Sequence, residues 1–166
     1  MTRIFGIAGW SGAGKTTLIR RLIPRLVEDG LTVSTIKHAH HRFDVDQPGK
    51  DSYEHRQAGA RQVLVASQIR WALMSELRDA PEPSLAELLA RLDPVDLVLV
   101  EGYKRDTHPK LEVWRAANGK PPIFPDDPTV IGLATDAAPP GATLPVLDLD
   151  DIPTIARFIA ERAAPL

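Results

Sequence analysis

The chain has 166 residues, with 20 Lys and Arg against 22 Asp and Glu and a net charge of −2. That length supports one sizeable core, so a single domain over residues 1–166 is expected, and the slight acidic balance argues against nucleic acid as a partner. Apolar residues at 43% with charged residues at 25% exclude a disordered chain, and the lack of cysteine excludes disulfides, thiolate zinc sites and cysteine nucleophiles.

No apolar stretch approaches the roughly 20 residues of a membrane span. The apolar start from Ile4 to Trp10 runs into a glycine-rich turn and not into a cleavage site. A cytoplasmic protein with no membrane partner is the expectation.

Ile4 to Ala8 reads as a strand, and Leu18, Leu22 and Leu26 with Ile19, Ile23 and Val27 recur at helical spacing up to Gly30. Pro24 predicts a kink, because it removes the donor for the Arg20 carbonyl. Thr32 to Ile36 is a β-branched second strand, and His38 to Lys50 is a polar, proline-bearing loop. Asp51 and Glu54 resemble a capping box opening a short helix. Val63 to Ala66 and Arg70 to Met74 are too close for a crossover and predict a hairpin that makes the sheet mixed.

Ser84 and Glu87 form a second capping box, for a helix to about Leu92. Val95 to Val100, interrupted by Asp96, suits a central strand buried on both faces. Leu111 to Trp114 and Val130 to Ala134 are further strands, and Asp150, Asp151 and Pro153 open a final helix with Ile155, Phe158 and Ile159 on one face. Strands alternating with helices predict an α/β fold around a mostly parallel, mixed central sheet.

Gly9, Trp10, Ser11, Gly12, Ala13, Gly14, Lys15 and Thr16 fit the pattern GxxxxGK[ST] between a strand and a helix. Glycines let the backbone turn its N–H groups inward, so that a polyphosphate sits in a nest of donors at the positive end of the helix. Lys15 is placed to reach the β- and γ-phosphates, and the Thr16 hydroxyl to ligate Mg²⁺. Glu101, ending the run Leu97 to Val100, is a candidate second contact for that metal, against the alternative of a solvated acid at a strand end. Asp136 is a candidate acceptor for guanine N1–H and N2–H, against the alternative of a turn-forming Asp, and the Asn-Lys-x-Asp pattern of many GTPases is absent.

Lys37, His38, His40, His41, Asp44, Asp46 and Lys50 cluster after the second strand. Three readings stand side by side: a transition-metal site, a cationic site for an anionic second ligand or partner, and a solvated loop with capping roles. Trp71 and Trp114 read as core or interface, and Trp10 as packing over the phosphate loop.

The string from Ile36 through Lys37, His38, His40, His41, Asp44, Asp46, Pro48, Gly49 and Lys50 to Ser52 resembles the molybdopterin-guanine dinucleotide biosynthesis adapter family, MobB. The resemblance continues through Ala58 to Ala60, Val65 to Ser67, Arg70 to Met74 and Leu99 to Gly102 to the Thr135–Asp136 turn, where the family commonly has Ser before the Asp. It implies a three-layer P-loop NTPase fold and a dimeric, GTP-binding protein with weak Mg²⁺-dependent GTPase activity. Such a protein assists the guanylyltransferase that attaches GMP to molybdopterin and is not that transferase. By position, Gly9 to Thr17 become the phosphate site, Glu101 a magnesium contact, and Lys37 to Lys50 a contact for molybdopterin or the partner enzyme.

No catalytic residue is assigned. Arg105 is only a candidate arginine finger, in cis or across a dimer, so hydrolysis is expected to be slow. The competing readings are a small-molecule kinase, with Asp44 or Glu101 positioning an acceptor hydroxyl, and a nucleotide-stabilised structural subunit without turnover.

Overall fold

The structure, a computed structural model, describes residues 1–39 and 43–166. In chain order its elements are β1 (Arg3–Ala8), α1 (Lys15–Glu28), β2 (Val33–Lys37), α2 (Asp51–Gln57), β3 (Gln62–Ala66), β4 (Trp71–Ser75), α3 (Leu85–Leu89), β5 (Leu97–Glu101), β6 (Lys110–Trp114), a 3₁₀ turn (Ala116–Asn118), β7 (Val130–Thr135), β8 (Val146–Asp148), α4 (Ile152–Arg162) and β9 (Ala164–Pro165). They fall into two compact units, Met1–His38 with Leu85–Leu166, and Ala39–Ser84. No helix among the described residues is long and apolar enough to cross a membrane.

The first unit is an α/β sheet in the order β2-β5-β1-β6-β7-β8, all parallel, with β9 added antiparallel beside β1. Because β5 takes one edge of β1 over Arg3 to Ile7, the other edge is shared: β6 pairs with Gly6 to Ala8, and β9 with Arg3 and Ile4. The sheet is therefore mixed, but through β9. The hairpin of β3 and β4, expected to supply the antiparallel strands, forms a separate two-stranded sheet in the second unit.

Side chains alternate across each strand, so both faces of the sheet must be covered. On one face Phe5, Ile7, Leu97, Leu99, Leu111 and Val113 pack with Leu18, Leu22 and Leu26 of α1 and Ile155 and Ile159 of α4. On the other, Ile4, Val98 and Val100 pack with Leu85, and Leu89 joins them from the same short helix α3. Each fully buried leucine on α1 stabilises the fold by about 1.5–3 kcal/mol relative to exposure. Pro24 lies inside α1 on its exposed side and does not end it. The ladder thus loses a bond at a solvent-facing position.

Several boundaries differ from expectation for local reasons. β5 starts at Leu97, because the Asp96 carboxylate accepts from the Thr32 amide at 2.8 Å and its hydroxyl at 2.6 Å. The helix after Ser84 ends at Leu89, followed by i→i+3 turns from Arg91 to Leu88 and Leu92 to Leu89. In α2 the N-cap is Lys50, without a side-chain cap bond, and Asp51 is the first helical residue. The capping-box reading there is thus corrected: Asp51 and Glu54 are both first-turn acids, favourable to the helix dipole. Asp151 does cap α4, accepting from the Thr154 amide at 3.1 Å.

Candidate nucleotide-binding site

The parallel strands deliver β1, β2 and β5 to one carboxyl edge, where a phosphate-binding loop belongs. The loop Gly9 to Gly14 joins β1 to α1, with Gly9, Gly12 and Gly14 at φ of 137°, 81° and 103°. At Gly9 the requirement is doubled, since a Cβ would stand 2.5 Å from the Val113 carbonyl oxygen of β6. Gly14 caps α1 in the left-handed region with no side-chain cap bond, and the first turn holds no acid. The positive end of α1 is therefore left uncompensated by side chains, as an anion site needs.

The Lys15 ammonium folds back to donate to the carbonyls of Gly9 at 2.8 Å and Trp10 at 2.9 Å. Burial holds its pKa below the usual lysine range; Glu101 opposes that shift, and Lys104 and Lys37 add to it. Beside it, the Thr16 hydroxyl lies 3.5 Å from Glu101 Oε1, and Lys37 Nζ pairs with the same oxygen at 3.4 Å. Register explains the meeting: Glu101 pairs with Ile7 on one side and Lys37 on the other. A hydroxyl and a carboxylate at this spacing are hard oxygen donors of the kind Mg²⁺ takes one or two of, with phosphate and water completing its shell.

After Glu101 the backbone turns sharply. Gly102 has φ 98°, with room for a Cβ denied by His38 Cβ at 2.7 Å, and Tyr103 has φ 47°. His38 lies against the Tyr103 ring at 5.1 Å, and its amide donates to the Glu101 carbonyl at 2.9 Å. The turn carries Lys104 onto the face of Trp10, with Nζ 4.5 Å from the ring centroid.

The segment after β6 forms a strap along the outer side of the loop. Asn118 Nδ2 donates to the Ser11 carbonyl at 3.1 Å, and the Trp10 indole N–H donates to the Pro121 carbonyl at 2.8 Å. The strap is anchored from below by β6: Glu112, wholly buried, accepts from the amides of Ile123 at 2.7 Å and Phe124 at 2.9 Å. Trp114 Nε1 donates to the Lys120 carbonyl at 2.9 Å. Burial raises the Glu112 pKa, and the two amide bonds oppose the rise. On the same face of β6, buried Lys110 bonds the Asp106 carbonyl and the Thr129 hydroxyl.

Farther along the edge, Thr135 ends β7 buried, its hydroxyl donating to the Ala137 carbonyl at 2.7 Å and accepting from the Ala137 amide at 3.1 Å. This fixes the turn that presents Asp136, whose carboxylate pairs with Arg115 Nη1 at 3.7 Å.

A family model described as molybdopterin guanine dinucleotide synthesis protein B, MobB, matches residues 4–136. The chain belongs to the MobB family. The molybdopterin-guanine dinucleotide biosynthesis adapter protein of Escherichia coli (strain K12) is 45% identical over 164 residues, covering 97% of this chain and 93% of that protein. The protein of the same description from Haemophilus influenzae is 44% identical over 160 residues, covering 94% and 86%. A crystal structure described as molybdopterin-guanine biosynthesis protein B superposes with a TM-score of 0.75 at 27% identity, over 95% of this chain and 98% of that one.

In this MobB-family chain the candidate residues divide between the two units. Gly9 to Thr17, Lys37, His38, Glu101 and Asp136 lie in the first; Asp44, Asp46 and Lys50 lie in the second. There the Asp44 carboxylate accepts from Arg56 Nη2 at 2.8 and 2.9 Å, which holds its pKa below the usual carboxylate range. Asp46 accepts from Ser52 Oγ at 2.9 Å and from Arg56 Nε at 3.3 Å. His40 and His41 lie outside the described residues. Among the described residues, no group of three or more His, Asp or Glu side chains is gathered as a metal site.

Sequence reasoning passed over Arg115, Asn118, Lys104 and Glu112 in this MobB chain. The one local signal was the alternation of Lys110, Glu112 and Trp114 along β6, the pattern of a solvated face that proves to be covered by the strap.

Proposed function

We propose that the chain is a GTP-binding adapter in molybdopterin guanine dinucleotide biosynthesis, assisting the guanylyltransferase and hydrolysing GTP slowly with Mg²⁺. The observation that carries the reading is the phosphate loop of a MobB-family chain with Lys15 turned over the uncapped start of α1. Its amides and ammonium would bind the β- and γ-phosphates. Thr16 and Glu101 would hold Mg²⁺, which when bound neutralises phosphate charge. Asp136 would select guanine by accepting from N1–H and N2–H.

Slow turnover fits the arginines: Arg105 is exposed in the turn after Lys104, and Arg115 is engaged with Asp136. A homodimer is part of the same reading. Its support is the hairpin of β3 and β4, which leaves Leu64, Trp71 and Leu73 exposed on one face, an apolar surface suited to a second chain.

The deciding experiment is calorimetric titration with GTP and ATP analogues, each with and without Mg²⁺. Guanine preference with metal enhancement supports the adapter. Equal or ATP-favoured binding, with nucleotide diphosphate release stimulated by an acceptor hydroxyl, would replace it with a kinase.

A further inference from the structure

We infer that Arg115 is a positioning residue for base selection: its guanidinium orients the Asp136 carboxylate for the guanine edge from a place beside the phosphate loop. The inference rests on the guanine-nucleotide reading above and adds to it a residue from another strand.

The backbone sets the pair. β6 and β7 run parallel with Trp114 opposite Thr135, so the next residues, Arg115 and Asp136, leave adjacent strands at the same level. Their charged groups meet at 3.7 Å, and the side chains are 43% and 49% exposed, open enough for a base to reach the carboxylate. Thr135 fixes the turn from its buried side, but it holds backbone and leaves the carboxylate to rotate. At 3.7 Å the guanidinium acts on that freedom as a charge and not through a hydrogen bond, drawing one carboxylate oxygen toward β6 and leaving the other for the base.

The other end of the guanidinium faces the phosphate loop. Arg115 Nε stands 3.7 Å from the position a Cβ on Gly14 would take, and it is buried without a hydrogen-bond partner among the described residues. A buried N–H left unpaired is costly, so the fold gains nothing from holding Nε there. Arg115 also begins the strap that holds Ser11 through Asn118 and Trp10 through Pro121, so its backbone is fixed relative to the loop. The residue that faces Asp136 is thus anchored beside the loop.

The chemistry discriminates. Guanine offers two adjacent donors that an oriented carboxylate accepts together, whereas adenine places an acceptor, N1, where one of them would be. Orientation of Asp136 therefore matters for GTP and hardly at all for ATP, which separates this role from a general attraction for phosphate.

The test is titration with non-hydrolysable GTP and ATP analogues of the wild type, Arg115→Ala, Arg115→Lys, Asp136→Asn and the Arg115→Ala/Asp136→Asn double variant. Arg115→Ala should weaken GTP binding by about two- to fivefold, the scale of a solvent-exposed ion pair, with little change for ATP. Arg115→Lys should restore part of the preference. In the Asp136→Asn background, Arg115→Ala should leave the GTP-to-ATP ratio unchanged, because the two act as one unit. Equal weakening of both nucleotides, or no effect on either, overturns the inference while the wild-type preference stands. A wild type without guanine preference overturns the underlying reading itself and is seen before any variant is made. If Arg115→Ala melts early, Arg115→Gln keeps the stem and carries the same comparison.

Discussion

Lys37 and Glu101 occupy paired final positions of neighbouring parallel strands, and the ammonium of one lies 3.4 Å from the carboxylate of the other. The same oxygen lies 3.5 Å from the Thr16 hydroxyl, so one carboxylate serves a strand-end cation and the loop together. Glu101→Ala should abolish the gain in nucleotide affinity that Mg²⁺ gives. Metal-free affinity should survive nearly intact, since the Lys37 side of the pair is exposed and worth about 0–1 kcal/mol. Calorimetry with and without Mg²⁺ reads both, and undiminished metal enhancement would remove Glu101 from the metal site.

Lys15 makes its two described hydrogen bonds to carbonyls of its own loop, so the fold does not depend on it. Lys15→Ala should weaken triphosphate binding about 10- to 100-fold, the loss of charge-assisted hydrogen bonds to phosphate, with the melting temperature unchanged. Equal affinity in variant and wild type would refute the assignment of the phosphate site.

Glu112 holds the strap by accepting two adjacent amides with two oxygens. Glutamine offers one acceptor and turns a donor toward the second amide, so Glu112→Gln should cost about 2–3 kcal/mol and lower the melting temperature by roughly 5–10 °C. Nucleotide affinity should fall with it at temperatures where the strap loosens. A melting curve superposable on the wild type would show that the strap is held by other contacts.

His108 is buried beside Gly6, and burial first, then Lys110, lowers its pKa to about 4. The folded state thus binds fewer protons than the unfolded one between about pH 6.5 and pH 4. Its contribution is complete above the unfolded value and is lost as pH falls through that window, to a total of about 3 kcal/mol. Denaturant midpoints measured from pH 7 to pH 4 should fall more steeply for the wild type than for His108→Gln. Parallel slopes would mean that His108 binds its proton as readily in the fold as in the unfolded chain.

Trp71 and Leu73 project from β4 largely exposed. If that surface meets a second chain, Trp71→Ser with Leu73→Ser should shift sedimentation toward the monomer while leaving nucleotide affinity in place. A wild type that sediments as a monomer at micromolar concentration would instead reserve the hairpin for a different partner.

The glycine loop between β1 and α1 was legible because strand, glycines, lysine and helix are contiguous in the sequence. The same holds for Asp151, which caps the helix it precedes. Arg115 and Asp136 meet only through the register of β6 against β7, and nothing in either residue's own neighbourhood announces the other. Val146–Asp148 and Ala164–Pro165 are strands by virtue of their partners, too short to show a period of their own. Asp51 and Glu54 carried the right spacing for a cap, but the chain enters that helix one residue earlier, at Lys50.

The placement of β1 has a consequence for synthesis. Arg3 pairs with Leu97 and Gly6 with Lys110, so the strand that launches the phosphate loop leaves the ribosome long before either neighbour exists. Until β5 and β6 emerge, an apolar segment with both edges open must be kept from pairing with other nascent chains. Slow elongation before Leu97 would lengthen that exposure, and yield in the cell should respond to translation speed across this stretch and to chaperones that shield the segment.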